Sequence, residues 1–176
     1  MSAVSPKTPH GSRVTLHQLM LPEHGNALGN VHGGLIMKMV DEAGAIAAMR
    51  HAGRPCVTIA IDSMTFREPV HLGELLICDA RVTYVGRTSI EVTVQVHAEN
   101  PITSAVTHTN SAHLVYVALG PDGRPAEVPR LELVTDEDRR AWHEGELRQA
   151  ERLARKRRES AGPPQRPPAG TPPQGK

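Results

Sequence analysis

The stretch from Asn26 to Met49, NALGNVHGGLIMKMVDEAGAIAAM, joins a loop rich in asparagine and glycine to an apolar helix. Its periodicity predicts a helix from about Gly33 to Ala52. Ile36, Met39, Val40, Ala43 and Ala47 recur at helical spacing and define one buried face. Gly53 and Pro55 supply the usual stop signals of a glycine past the last turn and a proline soon after. Met37, Gly44, Ala45 and Ala48 form a second flank of small or flexible residues, so the helix is expected to be covered on more than one side.

Outward from this helix the chain reads as strands. Val14, Leu16 and Met20 alternate with polar residues before Pro22. Four extended segments follow, Cys56 to Arg67, Glu74 to Val85, Ser89 to Glu99 and Ser104 to Leu119. The third alternates most clearly, with Ile90, Val92, Val94, Val96 and Ala98 inward against Glu91, Thr93, Gln95 and His97. Long antiparallel strands exposed on one face, together with one apolar helix, imply a sheet curled around that helix, an α+β fold. Thr135 is placed to cap a last helix, with Asp136, Glu137 and Asp138 in its first turn. Residues 1–12 read as a flexible leader, 13–130 as the folded domain, 131–159 as a charged C-terminal helix, and 160–176 as a disordered Pro/Gly-rich tail.

Composition narrows the functional classes. A net charge of +1 gives no general nucleic-acid footprint. No run approaches the roughly 20 apolar residues of a membrane span, and the first twelve residues lack the apolar core of a signal peptide. Cys56 and Cys78, with no close pairing, fit a reducing compartment, so a soluble cytoplasmic protein is expected. Phe66, Tyr84, Tyr116 and Trp142 are the only aromatic residues, which leaves the core to Val, Ile, Leu, Met and Ala.

The common hydrolase signatures G-x-S-x-G, the Walker loop and H-E-x-x-H are missing, and ten scattered histidines show no metal-ligand spacing. The unusual segment is the loop ending at His32, Gly33 and Gly34. Glycines at a helix start let a substrate approach the backbone, where free amide N–H groups can hold a developing oxyanion. The same pair also serves as an ordinary turn. Asp41 falls on the flank of Met37, Gly44, Ala45 and Ala48, where a carboxylate loses solvation and needs either a partner, such as an arginine, or a task. Glu42 is better placed for solvent.

These blocks, with Met64-Thr65-Phe66-Arg67-Glu68-Pro69-Val70 and Gly86-Arg87-Thr88-Ser89, resemble the hotdog-fold acyl-CoA hydrolases, including the cytosolic brain-type enzyme and its short bacterial relatives. The resemblance spans about residues 13–130. It implies a long antiparallel sheet wrapped around one central helix, dimers with sites across the interface, and commonly a trimer of dimers, a homohexamer. It implies hydrolysis of fatty acyl-CoA to free acid and coenzyme A, with Asn26 and Asp41 as the catalytic pair drawn from different hotdog units. No cofactor or metal is expected, coenzyme A being part of substrate and product. Asp41 would serve as general base or nucleophile, Asn26 would orient water or the thioester carbonyl, and Gly33 and Gly34 would hold the oxyanion. His32 either assists or packs. Arg87, Thr88 and Ser89 are either a receptor for CoA phosphates or a plain polar hairpin. The run Arg152 to Arg158 reads as a solvated helix face. Two rival functions are a hotdog acyl-thioester dehydratase, using His32 with Asp41, and a non-catalytic acyl-CoA sensor.

Overall fold

In the computed structural model, which describes residues 5–160, the apolar helix sits in the concave face of a single five-stranded sheet. The helix, α2, spans Gly33–Ala52, and its C-cap Gly53 takes the left-handed conformation (φ 67°) expected of a terminating glycine. The strands are β1 (Val14–Leu19), β2 (Cys56–Phe66), β3 (Leu75–Val85), β4 (Ser89–Glu99) and β5 (Val106–Ala118). They pair antiparallel in the order β1-β3-β4-β5-β2, so β2 is an edge. This is the hotdog arrangement implied by the resemblance.

Register explains the core. Cross-strand partners share a face, and the rows Cys78↔Val96, Ala80↔Val94, Val82↔Val92 and Val94↔Ala112 all point at α2. All are buried, as are Ile36, Met39, Val40, Ala43 and Ala47 of the helix. Each fully buried Val, Ile or Leu contributes about 1.5–3 kcal/mol, and the alanines on both surfaces let helix and sheet approach closely.

The first twelve residues are not all loose. Lys7 bridges to Leu131, Lys7 Nζ donates to the Arg50 carbonyl at 2.9 Å, and Pro9–Ser12 form a short helix, α1, with Ser12 buried. Charge at the exposed C-terminal turn of α2 ties this segment down, an effect without hydrophobic periodicity. The tail beyond 160 lies outside the described residues.

The convex face also departs from the sequence reading. It is covered by α3 (Asp136–Ser160) rather than left to solvent. Glu91 is 1% exposed and accepts from Arg148 (2.8 Å) and Arg152 (2.9 Å), and Arg152 also pairs with Asp62. Arg152 is therefore a largely covered clamp and not part of a solvated face. Burial pushes the Glu91 carboxyl up, but hydrogen bonds and charge from the two arginines outweigh it and hold it below the usual value. The helix comes this close because Gly145 faces the sheet: a Cβ there would stand 2.6 Å from that of Tyr84. Trp142 packs on Tyr84 with ring centroids 5.4 Å apart. Thr135 caps α3, accepting from Asp138 N at 3.0 Å while Asp138 accepts from Thr135 N at 2.9 Å. No described helix is long and apolar enough to cross a membrane.

Removing one partner of a buried ion cluster costs more than the cluster contributes, because a charge is stranded. Arg152→Met, which strips a partner from both Glu91 and Asp62, is expected to lower the unfolding free energy by about 3 kcal/mol. Urea denaturation followed by circular dichroism measures this, and an unchanged midpoint would contradict the clamp.

Candidate functional site

The loop before α2 is held by its own backbone. Asn26 N donates to the Asn30 carbonyl (2.7 Å), Val31 N to Val70 (2.9 Å) and His32 N to His24 (2.9 Å). Asn26 Oδ1 accepts from Leu28 N (2.8 Å) and Asn30 N (3.2 Å), which fixes the orientation of the amide. Its carbonyl oxygen is thus committed to the loop, and its Nδ2 donors are what it offers outward. Asn26, Asn30, Gly33, Phe66 and Arg67 line a cleft of about 280 Å³ at the start of α2.

His32 is the N-cap of α2. Its Nδ1 accepts from Gly34 N at 3.0 Å, which places the ring proton on Nε2. The Gly34 N–H is therefore already committed. Leu35 N and Ile36 N both donate to the His32 carbonyl, which leaves the Gly33 N–H without a partner among the described residues. Phe66 closes over Gly33, its ring 3.6 Å from where a Cβ would be. Of the donors foreseen for an oxyanion, Gly33 is the one the fold leaves open.

Asp41 lies two turns further along α2, about 12 Å at 1.5 Å per residue, and does not line the Asn26 cleft. One chain does not bring Asn26 and Asp41 together. Asp41 is half-buried and has no arginine partner among the described residues. Its Oδ1 accepts instead from Thr58 Oγ1 (2.7 Å) and from the Tyr116 hydroxyl (3.2 Å), while Oδ2 receives no hydrogen bond from any described residue. Burial first, then the Asp41 charge, raises the Tyr116 phenol far above its ordinary value, so it stays protonated and can donate to Asp41. Thr58 and Tyr116 face each other in the β2–β5 register. The sequence offered no local signal for either residue, since they stand 17 and 75 positions from Asp41. Glu42 is exposed beside Lys38.

The Gly86–Ser89 turn divides its expected contacts. Arg87 lines a surface cavity of about 640 Å³ with Arg130 and Trp142, and Ser89 lines another, of about 530 Å³, beside Arg155 and Lys156. Thr88 lends its carbonyl to Ala118 N. Both cysteines are free thiols. Burial pushes Cys56 up to about 11 and Cys78 up to about 12, so neither offers a thiolate near neutral pH. Among the described residues no group of three or more His, Cys, Asp or Glu could hold a metal ion.

A carboxylate steadied on one oxygen and open on the other suits proton abstraction, and a free amide at a helix N-terminus suits a developing oxyanion. Comparison with known proteins addresses the family to which the chain belongs. Residues 28–105 match the Thioesterase superfamily. The acyl-CoA thioester hydrolase YciA of Salmonella typhimurium is 38% identical over 126 residues, covering 69% of this chain and 93% of that one. A hexameric acyl-CoA thioesterase solved without ligand superposes with a TM-score of 0.83 at 35% identity, over 87% of this chain and 98% of its own. The Staphylococcus aureus acyl-CoA hydrolase, solved with butyryl coenzyme A and coenzyme A, superposes at 0.82 and 30% identity, over 88% and 94%. Structures also exist of its variants with an aspartate, an asparagine or a threonine replaced by alanine.

As the N-cap of α2, His32 is expected to matter first for stability. His32→Ala should cost about 1 kcal/mol, while His32→Asn, which can still accept from Gly34 N, should cost little. Denaturation midpoints of the two variants measure this, and equal losses would refute the cap.

Proposed function

The chain belongs to the Thioesterase superfamily, among its hotdog acyl-CoA hydrolases, and on that footing we propose that it cleaves fatty acyl-CoA at a site completed only where two copies meet. The observation that carries this reading is the environment of Asp41: a half-buried carboxylate held at Oδ1 by two hydroxyls, with no cation partner and no donor to Oδ2 among the described residues. In the Staphylococcus aureus enzyme, the replaced asparagine, aspartate and threonine fall at the same mutual intervals as Asn26, Asp41 and Thr58 here.

The mechanism follows from the donors that remain. Asp41 Oδ2 takes a proton from water as the water oxygen adds to the thioester carbonyl. The oxyanion is met by the Gly33 N–H and the Asn26 Nδ2–H, both from the partner copy and both aimed before the charge develops. Collapse of the tetrahedral intermediate breaks the C–S bond and expels CoA as a thiolate, which takes up the proton. A thiol of pKa near 8–9 leaves without a strong acid. Products are the free acid and CoA.

Self-association rests on two features. The helix-facing Ile61 and Phe66 of edge strand β2 are 42% and 47% exposed, and Met37 on the Asp41 flank is 42% exposed. A long edge with apolar side chains is a liability unless something covers it. A second copy of this chain does so and brings a second loop toward Asp41. A dimer, assembled further into a hexamer, is the expected state. Arg87 and Arg130 offer charge for the CoA phosphates, and the reaction is assigned to the cytoplasm, where Cys56 and Cys78 stay reduced.

Asp41→Asn is expected to keep fold and oligomer while lowering thiol release from acyl-CoA by at least about a hundredfold. Near-normal turnover in the folded variant would remove Asp41 from the mechanism, and enoyl product from 3-hydroxyacyl-CoA without thiol release would favour a dehydratase. The shared site has its own test. Asn26→Ala and Asp41→Asn, each nearly inactive, should regain about a quarter of wild-type activity per chain when dissociated and mixed equally, because half the dimers then carry one intact site. Continued inactivity, with heterodimers visible by native mass spectrometry, would rule out the cross-subunit pair.

A further inference from the structure

Tyr116 is a fully buried side chain in a core otherwise made of aliphatic residues. It stands on the concave face of β5, paired with Ile90 on one side and Thr58 on the other. A phenylalanine would fill nearly the same volume, so packing alone does not call for a hydroxyl. A buried hydroxyl lowers stability unless it is bonded, and both acceptors available to this one belong to Asp41: the backbone carbonyl at 3.0 Å and Oδ1 at 3.2 Å.

The helix is altered to admit it. Gly44, one turn beyond Asp41, lies directly over the ring. A Cβ there would overlap the Tyr116 hydroxyl and come within 3.1 Å of Cζ. Glycine inside a helix costs about 1 kcal/mol relative to alanine. The chain accepts that cost at a position flanked by Ala43 and Ala45, where alanine would otherwise be the natural choice. Glycine and hydroxyl therefore work as one device, and what the device touches is Asp41.

We propose that Tyr116, given room by Gly44, is a positioning residue that locks the Asp41 carboxylate with Oδ1 turned into the protein and Oδ2 presented to the reacting water. A carboxylate near the middle of a helix has several rotamers open to it. Thr58 alone, exposed and on the edge strand, anchors one oxygen from one direction. The Tyr116 hydroxyl reaches the same oxygen from the buried side and shares its single proton between it and the Asp41 carbonyl, so side chain and backbone are held together. Binding of the acyl-CoA depends on other surfaces, so the effect belongs to turnover and not to affinity. This assignment rests on the reading of Asp41 as the base.

The experiment is a double-mutant cycle on purified oligomer, with acyl-CoA as substrate and thiol release as readout. Tyr116→Phe should lower kcat about tenfold with KM within twofold of wild type, the scale of one lost hydrogen bond to a charged group. Native mass and melting temperature should stay near wild type. Gly44→Ala, which displaces the hydroxyl, should lower kcat comparably. In the Tyr116→Phe background the same Gly44→Ala change should cost threefold or less, because no hydroxyl remains to be displaced. Wild-type kcat in a folded Tyr116→Phe oligomer, or purely multiplicative effects of the two changes, overturns the proposal. Asp41→Asn serves as the control. If it is inactive while Tyr116→Phe is unimpaired, positioning fails and the general base stands. If it too is unimpaired, the base assignment itself has failed.

Discussion

The close approach of α2 to the concave face of the sheet is the constraint on which the rest of this structure depends. It is achieved with small side chains on both surfaces: Ala43, Gly44, Ala47 and Ala48 from the helix, Ala80, Ala112 and Ala118 from the strands. With the helix this deep, one flank is occupied by the sheet and the other opens along β2. Asp41 stands on that margin, close enough to the core for Tyr116 to reach it and close enough to the edge for Thr58 to do so. Larger residues at these positions would lift the helix and separate the carboxylate from both hydroxyls.

The two ends of the site follow from the same placement. At the start of α2 the helix presents its unpaired amides, and the loop from Asn26 to His32 decides which of them remain available. His32 takes one and leaves Gly33. Further along, the carboxylate is separated from these donors by the rise of the helix itself. A rigid α-helix cannot fold its own N-terminus onto its middle, so the proposed mechanism draws one of the two groups from another copy. The uncovered apolar side chains of β2 and α2 lie on the margin where that copy would sit.

The convex face is stabilised by a different kind of interaction. Glu91, Asp62, Arg148 and Arg152 form a buried charged cluster between sheet and helix, bounded by the Trp142–Tyr84 contact and admitted by Gly145. Ion pairs of this kind contribute little net stability compared with apolar packing, but they are intolerant of a missing partner. They also fix register, because an arginine displaced by one turn would leave Glu91 unpaired. The helix is thus specified in position more than it is stabilised.

Much of the architecture was legible in the sequence. Apolar periodicity reports which face of an element avoids water whatever that face later meets, so α2, the alternation in β4 and the caps at Gly53 and Thr135 could be read locally. The Asn26 loop and Asp41 stood out because glycine pairs and a lone carboxylate on an apolar flank are costly without a reason. The covering of the convex face could not be read, because Glu91 and Thr93 alternate like solvent-facing residues and nothing local distinguishes water from a guanidinium. The docking of Lys7 and Pro9 was hidden for a similar reason, since it depends on the C-terminal turn of a helix far along the chain. The sequence by itself determined the elements, their apolar faces and the residues with chemistry to offer. Only the tertiary structure decided that Thr58 and Tyr116 meet at one oxygen of Asp41, that His32 takes the Gly34 amide, and that Asn26 offers donors rather than an acceptor. Periodicity is a property of neighbours along the chain, whereas a hydrogen bond depends on distances that exist only once the strands have paired.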